Sequence, residues 1–96
     1  MANKIVTNLD PFMTTQKIMI YQEDNQPQVL ATVDDVNRIG ETLAALVANH
    51  DVDEVCVFGP TAFLELPVHD FTVYSETLFK EKNKNVRLMV NGKISN

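Results

Sequence analysis

Two short apolar runs, Lys17-Ile18-Met19-Ile20-Tyr21 and Val29-Leu30-Ala31-Thr32-Val33, flank the polar stretch Glu23-Asp24-Asn25-Gln26-Pro27. β-Branched and aromatic residues on either side of turn-forming residues predict a β-hairpin. The period then lengthens: Val36, Ile39, Leu43, Leu46 and Val47 recur at helical spacing. Thr32 or Asp34 is placed to cap this helix, Asp34 and Asp35 suit its positive dipole end, and His50 follows Asn49 where the negative end favours a protonated ring. Val55-Cys56-Val57-Phe58 is apolar at four successive positions, the pattern of an interior strand covered on both faces. Gly59-Pro60 stops it, and Thr61 is placed to cap a short helical turn through Leu64 that Pro67 interrupts. A second amphipathic stretch resumes near Asp70, with Phe71, Tyr74 and Leu78 on one stripe. Val86, Leu88 and Val90 alternate with Arg87 and Met89, predicting a last strand before the Asn91-Gly92 turn and a polar tail.

The predicted order is β-β-α-β-α-β, an α/β fold with a small mixed sheet. Its second to fourth strands are mostly parallel, joined by right-handed crossovers, and two amphipathic helices pack on it. Residues 1–15 carry no sustained period and contain the turn signal Asp10-Pro11, so they are expected to be an N-terminal arm beside one domain over 16–96. The arm nevertheless holds Ile5, Val6, Leu9, Phe12 and Met13, too many apolar side chains to leave in water. Two helices are also few for such a sheet. If both lie on one face, Cys56 and Phe58 on the other need a cover from the arm or from a second subunit.

Composition narrows the picture. Ninety-six residues, 45% of them hydrophobic, suit one domain of marginal stability, for which self-association is a natural source of further buried surface. The single cysteine, Cys56, gives no internal disulfide, and no apolar run approaches the ~20 residues of a membrane span. Residues 1–15 lack the blocks of a secretory signal, so a cytoplasmic setting is expected, with no membrane partner. A net charge of −5 argues against a general nucleic-acid binder. Charge is also uneven: no Lys or Arg stands between Arg38 and Lys80, an interval with seven carboxylates, whereas Lys80, Lys82, Lys84, Arg87 and Lys93 crowd the tail. Such asymmetry can orient a partner or a second copy of the chain.

Candidate chemistry is sparse. The Gly59-Pro60-Thr61 turn lies at the carboxyl end of the expected central strand, where open α/β sheets bind ligands, and a helix start there can receive a phosphate or carboxylate. Pro60 removes one donor, however, and no G-x-G-x-x-G or Walker lysine accompanies it. His50, Asp51, Asp53 and Glu54 are metal-ligand types, but the glycine and glutamate of a calcium loop are missing, so no metal is expected. His69 beside Asp70 is a candidate general base with a carboxylate to orient its ring, but no nucleophile is placed by spacing. Cys56 sits between valines, without the positive neighbours of a reactive thiol. These features favour a non-enzymatic protein-interaction or regulatory module, without cofactor, that associates with itself or another protein. Phe12, Met13, Cys56, Phe58 and Met89 are the expected interface residues. The alternative is a small-ligand or nucleotide-binding domain with its site at Gly59, Pro60 and Thr61, at a subunit interface or within one chain. A small hydrolase or transferase using His69 and Asp70 is the third.

Overall fold

A computed structural model describes residues 3–95, so the first two residues of the expected arm and the last of the tail lie outside it. Among the described residues the order is β1 (Lys4–Asn8), β2 (Gln16–Tyr21), β3 (Gln28–Val33), α1 (Ile39–Asn49), β4 (Glu54–Phe58), α2 (Thr61–Glu81), β5 (Arg87–Val90) and β6 (Lys93–Ile94). A 3₁₀ turn over Val36–Arg38 leads into α1. The strands form one sheet in the spatial order β3-β2-β1-β4-β5-β6.

The expected α/β class and small mixed sheet are present, with six strands rather than four. The largest departure is β1. The segment expected to be an arm supplies an interior strand, antiparallel to β2 and parallel to β4. Its run Ile5-Val6-Thr7 is β-branched at every position, and all three side chains are buried. The parallel pairs are therefore β1 with β4 and β4 with β5, while β3 stands at the far edge beside β2. The expected polar tail contains β6, returned onto β5 by Asn91 and Gly92, whose φ values of 49° and 83° suit the tight turn of a hairpin.

Asp35, not Thr32 or Asp34, caps the first helical segment, its side chain accepting from the Asn37 N–H. α1 ends at Asn49, and the His50 ring bonds the Leu46 carbonyl at 2.8 Å. α2 is continuous, whereas Pro67 was expected to break it. Proline removes one backbone donor, but Pro67 is itself buried on the stripe Leu64, Pro67, Phe71 and Ser75 that the helix turns inward, so packing against α1 outweighs the missing bond. Pro60, rather than Thr61, occupies the cap position of α2.

Both crossovers step in the same direction across the sheet, from β3 past β2 and β1 to β4, and then from β4 to β5. Crossovers of one hand that step the same way fall on one face. α1 and α2 accordingly pack on each other and share one core with Ile5, Ile18, Val55, Val57 and Leu88. Val6 and Cys56 alternate with these residues, so they point to the opposite face, over which no helix lies among the described residues.

Candidate interaction surface

The helix-free face is ordered by the strand register. Opposite Val6 stand Met19 on β2 and Cys56 on β4; the row continues outward to Val29 on β3, and to Met89 and Ile94 on β5 and β6. One apolar side chain from every strand thus forms a continuous line across the sheet. Two residues along the strands, a second row runs Tyr21, Lys4, Glu54, Arg87 across β2, β1, β4 and β5. Its charges alternate in sign, and Arg87 Nη1 lies 3.5 Å from Glu54 Oε1.

The middle of the apolar row is less open than the sequence suggested. Val6 and Cys56 are only 7% and 6% exposed without any covering layer. Their neighbours along the row, Met19 and Met89, are longer and half-buried, and exposure rises outward to 50% at Val29 and 65% at Ile94. Burial pushes the Cys56 thiol above its ordinary range; the Glu54 carboxylate adds to this by charge and by a hydrogen bond, and Lys4 acts in the opposite sense. The thiol keeps its proton and is a packing group, without the stabilised thiolate of a nucleophile.

The loop after β1 borders this face. Gln16 is buried and clamps the loop: its Nε2 donates to the carbonyls of Asp10 and Met13 at 2.7 and 3.2 Å, and its Oε1 accepts from the Asp10 N–H at 3.0 Å. Asp10 Oδ1 in turn accepts from the Phe12 N–H at 2.9 Å. The loop is therefore held by its own bonds while Phe12 is 94% exposed. Met13 shares a cleft of about 420 Å³ with Met19 and Lys17, and Phe12 shares one of about 290 Å³ with Phe58 and Asn8. The five expected interface residues thus fall on or beside one face. Val6, Met19, Val29 and Ile94, with Lys4 and Glu54, share that face without having been expected there; for Lys4 and Val6 the β-branched run of β1 was the available signal.

Gly59 and Pro60 line the same 290 Å³ cleft, at the carboxyl ends of parallel β1 and β4. Gly59 is fixed there: its N–H donates to Asn91 Oδ1 at 3.0 Å, and Asn91 Nδ2 donates back to the Gly59 carbonyl at 2.9 Å. With that N–H engaged, Pro60 lacking one, and the Phe63 and Leu64 N–H groups directed to the Pro60 carbonyl, the turn is left with the Thr61 and Ala62 amides and the Thr61 hydroxyl to offer a ligand.

His69 and Asp70 are brought together, 3.5 Å apart, with His69 exposed on α2 and Asp70 mostly covered beside Gly40 of α1, away from the clefts at the ends of β1 and β4. Ser75 is buried and donates to the Thr72 carbonyl. Among the described residues no group of three His, Cys, Asp or Glu side chains is arranged to hold a metal ion, and no helix is long and apolar enough to cross a membrane. The acidic middle and the basic tail touch within the chain at Arg87 and Glu54, while Lys84 Nζ reaches backbone, donating to the His50 carbonyl at the end of α1. Comparison with protein-family models, with curated proteins and with solved structures gave no match.

Proposed function

We propose that the chain is a non-enzymatic interaction module that works as a homo-oligomer, docking through the helix-free face of its sheet. The observation that carries this reading is the six-strand apolar row bordered by charged side chains and by the hydrogen-bonded loop that presents Phe12 and Met13. The sheet's edges support it by contrast. β6 is two residues long and includes Lys93, and along β3 the register passes from Ala31 to Val29 and skips Leu30. Short, charged or bulged edges oppose strand addition, so the face is the more available surface. Sedimentation at micromolar concentration is expected to give a mass at least twice 10.8 kDa, and Met89→Lys is expected to lower it. A monomeric wild-type protein under those conditions overturns the reading.

The cleft at the carboxyl ends of β1 and β4 favours one second reading, a small-ligand site at Gly59, Pro60 and Thr61. Open α/β sheets bind ligands at such crevices. Titration with inorganic phosphate is expected to shift the Thr61 and Ala62 amide resonances; no shift at millimolar phosphate removes this alternative.

A further inference from the structure

We infer that the partner on the helix-free face is a second copy of this chain, related by a two-fold axis that runs parallel to the strands between β1 and β4. The inference rests on the interaction-module reading and adds the symmetry and orientation with which the two copies meet.

The strand order carries it. Six strands divide evenly about the line between β1 and β4, with β3, β2 and β1 on one side and β4, β5 and β6 on the other. A two-fold along that line lays β1 over the partner's β4, β2 over its β5 and β3 over its β6. In the apolar row, Val6 then faces a second Cys56, Met19 a second Met89 and Val29 a second Ile94, so no polar group interrupts the seam. The charged row is the stricter test, because most ways of facing a row onto itself bring like charges together. Here the order Tyr21, Lys4, Glu54, Arg87 reverses onto itself with Lys4 over Glu54 and Tyr21 over Arg87. That gives two ion pairs and two cation–aromatic contacts per dimer, with no like-charge opposition. A self-complementary patch of this kind is what a closed two-fold interface requires. Two sheets stacked this way pack about 10 Å apart with their strands nearly aligned.

The experiment is a paired charge reversal read by sedimentation equilibrium. In Lys4→Glu the two carboxylates at positions 4 and 54 oppose each other across the axis, and in Glu54→Lys two ammonium groups do. Each variant alone is expected to raise the dimer dissociation constant roughly tenfold or more. An equimolar mixture is expected to recover wild-type association as a heterodimer, because Glu at 4 then meets Lys at 54 and the native Lys4 meets the native Glu54. Circular dichroism melts establish that each variant is folded. If either is not, Met19→Asp and Met89→Lys, which also face each other only under this two-fold, replace them. A wild-type dimer whose variants associate normally, or whose mixture shows no recovery, overturns the proposed axis and leaves the docking face standing. A wild-type monomer overturns both.

Discussion

Gly40 on α1 and Pro67 on α2 stand so close that a β-carbon built on the glycine would lie 2.7 Å from the Pro67 carbonyl oxygen and 2.4 Å from the β-carbon of Asp70. The helices cross at this point because one of them has no side chain there. Alanine is ordinarily the better helix former by about 1 kcal/mol, so Gly40→Ala separates propensity from packing. Packing is expected to win, with a net loss of about 1–3 kcal/mol as the helices are forced apart. Urea denaturation should show a lower midpoint at unchanged slope. An equal or higher midpoint would mean that the helices move apart freely.

Ile5 reports on the unexpected interior strand. Its side chain is fully buried between the sheet and the helices, and its backbone neighbours lie on both β2 and β4. Ile5→Ala is expected to cost about 2–5 kcal/mol, the range for a large-to-small change in a core. A loss near zero in denaturant titration would return residues 4–8 to the status of a loose arm.

Gln16 holds the loop that presents Phe12. Truncation to alanine leaves the groups it bonded to be satisfied by water, at a cost of about 1–3 kcal/mol. Gln16→Ala is expected to speed proteolytic cleavage between residues 11 and 15 while leaving cleavage elsewhere unchanged. Unaltered cleavage in the loop would show that the clamp is dispensable.

The Cys56 thiol makes stability depend on alkaline pH. Its folded value is raised above that of the unfolded chain, chiefly by burial and then by Glu54. The contribution is therefore complete below the ordinary thiol value and is lost as pH rises through the folded one, since only the unfolded chain ionises early. The fall in stability above that ordinary value is expected to be shallower in Cys56→Ala. Parallel slopes for the two proteins would remove this origin. Labelling of folded wild type by a thiol reagent at neutral pH should be slow, and should accelerate in denaturant.

Much of the scaffold was legible because its signals are local. Apolar runs on either side of a polar turn marked β2 and β3, alternation marked β5, an unbroken apolar run marked β4, and helical spacing placed the end of α1 at Asn49. β1 escaped because five residues flanked by polar neighbours carry too short a pattern, and its burial depends on β4, which lies far along the chain. Pro67 misled because proline's local penalty is visible in sequence, whereas the helix packing that offsets it is not. The opposed charge blocks of the middle and tail were visible, but the in-chain pair of Arg87 with Glu54 depends on tertiary structure. Cys56, Phe58 and Met89 could be named from strand patterns, yet the row joining them to Val6, Met19, Val29 and Ile94 exists only once register is known.

The placement of β1 also shapes the order in which the molecule can assemble itself. β1, β2 and β3 are consecutive and form a meander from nearby residues, while Ile5 meets Val55 fifty positions later. A ribosome releases the meander first, with one flank of β1 still open until α1 and β4 have emerged. Closing that long loop makes the docking of β4 the entropically expensive step of folding, and until it occurs the nascent chain presents an unfilled groove beside its first strand.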